Sequence, residues 1–127
     1  MSRVLIVDDE RQNRDLLEVM LAGEGLDLLT AATGEDALAI VARNPPDLIL
    51  LDIMMPGMDG YQVAIAIKRN AATRHIPIVM VTGLDDPNAR LLGMNAGAAA
   101  FLGRPVDRAE LCERVKHLLR AAGGPRP

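Results

Sequence analysis

The sequence predicts an α/β domain: a doubly wound, five-stranded parallel sheet, (βα)5, in strand order 2-1-3-4-5 with helices on both faces. Short apolar runs of strand length recur at Val4–Val7, Asp47–Leu51, Ile76–Val81 and Ala98–Leu102. None alternates in and out, which is the pattern of strands buried on both faces of a parallel sheet. Helical periodicity fills the intervals between them. The 127 residues amount to one domain, and a chain of that size buries roughly two-thirds of its unfolded surface, enough for one core.

The elements follow in order. After the first run, Leu17, Met20 and Leu21 share a helical face, and Gly23 and Gly25 end that helix. Leu26–Ala31 is the second strand, interrupted by Asp27. Ala37, Leu38 and Val41 mark the second helix, stopped by Asn44-Pro45-Pro46. The third strand leads through Ile53–Gly60, a Pro/Gly loop, to a helix with Val63, Ala66 and Ile67 inward. After the fourth strand, Leu91, Leu92 and Met94 form the least regular stripe. After the fifth, Asp107 and Glu110 have the spacing of a capping box, and Leu111, Val115 and Leu118 face inward. Strict βα alternation with right-handed crossovers gives an open parallel sheet, and 2-1-3-4-5 is the common five-stranded order. The domain is expected over residues 1–122, with 123–127 a flexible tail or the start of a linker.

Composition excludes several classes. Fourteen basic against 17 acidic residues leave a net charge of −3, without Lys/Arg clusters, so no direct nucleic-acid binding is expected. Tyr61 and Phe101 are the only aromatics, too few for a base-stacking platform. The single cysteine, Cys112, excludes an internal disulfide and a cysteine-rich metal site. No apolar run approaches the ~20 residues that span a bilayer. The N-terminus reaches Asp8-Asp9 too early for a signal peptide. The expectation is a soluble, cytoplasmic domain without membrane attachment.

In open α/β sheets ligands bind beyond the carboxyl ends of the strands, at the point where strand order reverses. The first strand ends in Asp8-Asp9 and the third in Asp52. On neighbouring strands roughly 4.8 Å apart, these three carboxylates converge and repel. Either one stays protonated or a cation sits among them. An oxygen-only cluster suits Mg²⁺, with Mn²⁺ as an alternative, and the absence of nearby His or Cys disfavours zinc. Singly, Asp8 or Asp9 reads equally well as a cap for the following helix, and Asp52 as ordinary loop chemistry. Their joint occurrence at two adjacent strand ends favours a site. The remaining strand ends add a hydroxyl, Thr82, and a cation, Arg104. That set suits phosphoryl transfer to a carboxylate: Asp52 attacks phosphorus, while Mg²⁺, Thr82 and Arg104 hold the phosphoryl oxygens.

Four motifs carry a family resemblance: Val4-Leu5-Ile6-Val7-Asp8-Asp9, the stretch from Asp47 through Asp52 to Gly60, Val81-Thr82, and Arg104-Pro105. From about Ser2 to Ala121 the chain resembles bacterial response-regulator receiver domains, of the chemotaxis-regulator type. The stretch Met54–Tyr61, with His75-Ile76-Pro77, is most similar to receivers attached to cyclic-dinucleotide enzymes. The resemblance implies that Asp52 is the phosphoacceptor. It implies that Asp9, Asp52 and the backbone carbonyl of Met54 bind Mg²⁺ directly, and that Asp8 acts through water or as a second acid. Thr82 would donate its hydroxyl to the phosphoryl group, Phe101 would be the switch aromatic, and the Arg104–Pro105 bond would be cis. The implied partners are a histidine kinase or phosphotransfer protein and a downstream effector domain or protein. A homodimer through the fourth helix, fifth strand and fifth helix follows by the same analogy. Such a domain phosphorylates and dephosphorylates itself as a signal and is not a metabolic enzyme. A dianion at Asp52 would draw Thr82 inward by a charge-assisted hydrogen bond, and the ring would move into the space vacated. The plainer readings are a core aromatic for Phe101 and a turn hydroxyl for Thr82.

The sequence departs from the family at Arg104, where the family places Lys. A planar, forked guanidinium is not equivalent to a compact ammonium at a tight phosphate site. Arg104 either does the lysine's work, points outward, or marks a degenerate receiver that signals as a phosphorylation-independent interaction module. Gly103 beside it would help the larger side chain fit. Met54 and Leu84 flank the site with apolar side chains that cannot orient a water, so a long-lived phosphoryl group is expected. An Asp-nucleophile phosphatase is less favoured, because the connections are too short for a lid. A nucleotide- or flavin-binding fold is disfavoured by the turn Asp8–Arg11, which is not glycine-rich.

Overall fold

Strands buried on both faces need an apolar residue at nearly every position, and the three central runs supply one. The computed structural model describes residues 1–83 and 87–122. Its strands are β1 (Arg3–Val7), β2 (Asp27–Ala31), β3 (Leu48–Asp52), β4 (Ile78–Thr82) and β5 (Ala100–Gly103). They alternate with α1 (Arg11–Leu21), α2 (Gly34–Arg43), α3 (Gly60–Arg69), α4 (Pro87–Ala96) and α5 (Arg108–Ala121). All strand pairs are parallel, in the order β2-β1-β3-β4-β5. Every residue of β3 and β4 is buried. β2 lies at an edge and is the most open strand, which accounts for its polar Asp27 and Thr30. The tail expected at 123–127 lies outside the described residues. Among the described residues no helix is long and apolar enough to cross a membrane.

Side chains alternate across the sheet and build two cores. On one face Val4, Ile6, Leu48, Leu50, Val79 and Val81 pack with Leu17 and Leu21 of α1 and with Leu111, Val115 and Leu119 of α5. On the other, Leu5, Val7, Ile49, Leu51, Ile78 and Met80 pack with residues of α2 and α3 and with Ala96 of α4. Capping residues fix the helix starts. Thr33 accepts the Asp36 N–H, and Asp107 accepts the Glu110 N–H. At α5 only that half of the expected capping box is formed; the reciprocal box belongs to Asp59 and Gln62 at α3.

The face expected for α4 is inverted. Leu91, Leu92 and Met94 are more than half exposed, and the inward residues are Ala89, Gly93 and Ala96. The cause is Phe101 of β5. A Cβ on Gly93 would lie 2.2 Å from Phe101 Cζ and 2.9 Å from Met80 Sδ. The aromatic ring already fills the volume beneath α4, so only a small-residue face can seat there. The Arg90 guanidinium lies over the same ring, 5.6 Å from its centroid, within cation–π range.

Gly93→Ala is therefore expected to destabilise the fold by about 1–3 kcal/mol, the usual cost of overpacking a tight core. Urea unfolding measures it. Combining the change with Phe101→Leu should recover part of the loss, because the clash is with the ring.

Candidate functional site

The parallel register creates the site. Val7 of β1 pairs with Leu51 of β3, so the next residues, Asp8 and Asp52, come side by side at the carboxyl edge of the sheet. Asp8 is fully buried and Asp52 is 5% exposed; Asp9 is the more open of the three acids. Carboxylate oxygens from all three lie within 4.8 Å of one another. Asp52 pairs with Val81 of β4, which places Thr82 one step further along the same edge, where it is buried. Met80 and Thr82 share a face of β4, and Phe101 pairs with Met80 across β4–β5. The Thr82 end of β4 is thus joined to the half-buried Phe101 ring through one strand pair.

Asp8 does not cap α1, whose N-cap is Glu10 without a side-chain cap bond. Asp8 Oδ1 accepts the Glu10 N–H at 2.9 Å and the Asn13 amide at 3.5 Å, shaping the turn into α1. Its Oδ2 is ion-paired with Arg104 Nη2. Arg104 Nη1 reaches Asp52 Oδ1 at 3.3 Å. One guanidinium therefore spans two carboxylates from different strands, and it points into the cluster rather than away from it. The Arg104 N–H donates to the Thr82 carbonyl at 3.0 Å, which fixes the backbone where the fork begins. The Arg104–Pro105 bond is cis. Apart from its two chain neighbours, a Cβ at Gly103 would meet nothing within 4 Å.

Two contributors have weaker sequence signals. Arg14 Nη1 donates to the Asp8 carbonyl at 2.9 Å and, with Asn13, ties α1 to the end of β1. Gly60 opens α3 directly against the site; a Cβ there would lie 2.3 Å from the Asp52 carbonyl oxygen. Its signal was its place immediately after a capping aspartate. Met54, two residues beyond Asp52, is 63% exposed in the β3–α3 loop. Leu84 lies outside the described residues.

Burial pushes the Asp52 carboxyl up to about 6, reinforced by the Asp8 charge and, more weakly, by Asp9; the Arg104 guanidinium offsets part of this. An oxygen-only set of three converging carboxylates at a solvent-facing edge fits a hard divalent cation. Asp8, Asp9 and Asp52 are the side chains that would hold it.

The sign of the resulting pH dependence follows from linkage. Between its ordinary value of 3.8 and about 6, Asp52 holds more protons in the folded than in the unfolded protein. Stability of the metal-free protein should therefore fall as pH rises through that window and level off above it. The drop is on the order of 2–3 kcal/mol. Asp52→Asn should flatten the profile in urea titrations run in EDTA, and Mg²⁺ should restore stability to wild type above pH 6.

Comparison with known proteins agrees with this geometry. Residues 4–116 match the response regulator receiver domain family. The chain is 47% identical over 119 residues to the response regulator PleD of Caulobacter vibrioides, covering 94% of this chain and 26% of that protein. A crystal structure of a putative response regulator from Chloroflexus aurantiacus superposes with a TM-score of 0.90 at 37% identity, covering 94% of this chain and 98% of that one. The chemotaxis protein CheY4 of Vibrio cholerae gives 0.88 at 30% identity, with 93% and 98% covered. The chain spans 26–50% of the length of the curated relatives it matches. With acids at the ends of β1 and β3, a hydroxyl at the end of β4 and a cation after β5, this chain belongs to the receiver domain family of two-component response regulators.

Proposed function

We propose that the domain accepts a phosphoryl group on Asp52 in a Mg²⁺-dependent reaction and uses it to change a partner-binding surface. One observation carries this reading: a buried aspartate lies where two further acids, Thr82 and Arg104 converge on a single sheet edge. The donor would be a phosphohistidine of a histidine kinase or phosphotransfer protein, or a small acyl phosphate. An Asp52 carboxylate oxygen attacks phosphorus; the P–N bond breaks, and the imidazole keeps the electron pair. The product is an acyl phosphate on Asp52. Asp8, Asp9, Asp52 and the Met54 carbonyl would hold Mg²⁺, which would supply charge neutralisation for the phosphoryl oxygens. Thr82 donates its hydroxyl to one oxygen, and Arg104 pairs with another. The Asp52 carboxyl must be ionised to attack, and a value near 6 leaves it mostly ionised at neutral pH.

The switch in this reading runs from Thr82 through β4 to Phe101 and α4. The output surface comprises α4, β5 and α5, where Leu91, Leu92 and Met94 are exposed; it would engage an effector domain or a second copy. Residues 1–122 are the receiver unit, working in the cytoplasm. A second reading, a phosphorylation-independent interaction module, is favoured by one observation: Arg104 already pairs with both Asp8 and Asp52.

Labelling with radioactive acetyl phosphate separates the two. Wild type should label in Mg²⁺ and fail to label in EDTA, and Asp52→Asn should lose essentially all incorporation. Absence of labelling in wild type supports the interaction module; labelling undiminished in Asp52→Asn removes Asp52 as the acceptor.

The exposed Met54 offers no group to orient an attacking water. The labelled protein should therefore lose phosphate slowly, and Met54→Glu should shorten its half-life several-fold in a chase experiment.

A further inference from the structure

Two aromatic side chains hold α4, and a switch through Phe101 uses only one of them. The Phe101 ring presses on the helix from β5, at Gly93. From α3, the Tyr61 hydroxyl donates to the Ala89 carbonyl at 3.2 Å. Ala89 and Gly93 lie one turn apart, and helix geometry pairs the Ala89 carbonyl with the Gly93 N–H. A carbonyl oxygen has two lone pairs and can take both donors. Hydroxyl and ring therefore act on the same turn, on the small-residue face that α4 buries.

Tyr61 is itself firmly held. It is the second residue of α3, whose start is fixed by the Asp59–Gln62 capping box. Its ring is half-buried against the core beneath α2 and α3. The preceding residue, Gly60, donates its N–H to the Ile53 carbonyl at 2.9 Å. A Cβ on Gly60 would lie 2.3 Å from the Asp52 carbonyl oxygen. One residue thus separates the phenol from a close backbone contact with Asp52.

We propose that Tyr61 is a positioning residue: its hydroxyl latches the first half of α4 to the start of α3, and this hold must be given up when α4 leaves its resting seat. The latch forms a second connection between the acidic edge and α4, through α3 and independent of Thr82, β4 and the Phe101 ring. That connection rests on the reading of Asp52 as the phosphoacceptor. The hydroxyl is the essential part, because a phenylalanine would fill the same space without pinning the helix.

Tyr61→Phe keeps the ring and removes only the donor. In the unphosphorylated protein, amide hydrogen exchange across α4 should quicken about fivefold, the size of one net hydrogen bond, with α1 and α5 unchanged. Beryllofluoride with Mg²⁺ is a reversible, tetrahedral stand-in for a phosphoryl group on a carboxylate. Its binding, followed by fluorine NMR, should tighten by a comparable factor, because the resting state has lost a contact that the switched state lacks. A merely structural role would not tighten it. Unchanged exchange in α4, or exchange raised equally throughout the chain, overturns the proposal. So does a loosened α4 without tighter beryllofluoride binding. If wild type binds beryllofluoride no better than Asp52→Asn, the phosphoacceptor reading falls, and exchange confined to α4 alone decides whether Tyr61 is the latch.

Discussion

Asp8 and Asp52 are carried to one edge by adjacent parallel strands, and burial removes the water that would otherwise screen them. Two carboxylates in this position must share a proton, a metal or an organic cation. The rest of the site is arranged around that requirement. The turn into α1 occupies one oxygen of Asp8 with backbone and amide donors. Arg104, held at the end of β5 by its hydrogen bond to Thr82, answers both acids at once. Burial, reinforced by the Asp8 charge, lifts the Asp52 carboxyl to about 6, which makes the site sensitive to whichever cation is present.

A second tight contact lies on the far side of β4. The Phe101 ring is pressed against the backbone of α4 at Gly93, with Met80 behind it and Arg90 above. Met80 shares its face of β4 with Thr82. The site and α4 are therefore linked through one strand and one ring, without a long chain of intermediates. Packing this close on the Gly93 side favours discrete alternatives for the ring over gradual deformation.

Much of this was legible in the sequence because it depends on register and periodicity. Continuous apolar runs gave the strands, their alternation with helices gave the strand order, and the order made Asp8 and Asp52 neighbours. The inverted face of α4 was not legible. Its stripe of Leu91, Leu92 and Met94 is the more apolar one, but helix orientation there is set by the volume of a ring on another strand. Gly60 and Gly93 escaped for a related reason. A glycine that permits close approach looks, in one dimension, like any loop or helix glycine. Arg104 could be placed at the correct strand end, yet its simultaneous contact with two acids depends on side-chain reach across three strands, which no local pattern encodes.

Only two aromatic side chains occur in the chain, and both touch α4. Phe101 underlies Gly93, and the Tyr61 hydroxyl donates to the Ala89 carbonyl at 3.2 Å. With no tryptophan to mask it, the near-ultraviolet emission of this protein comes from one phenol anchored to the first half of α4. The molecule thus carries its own optical probe of that helix, native in sequence and free of any attached dye.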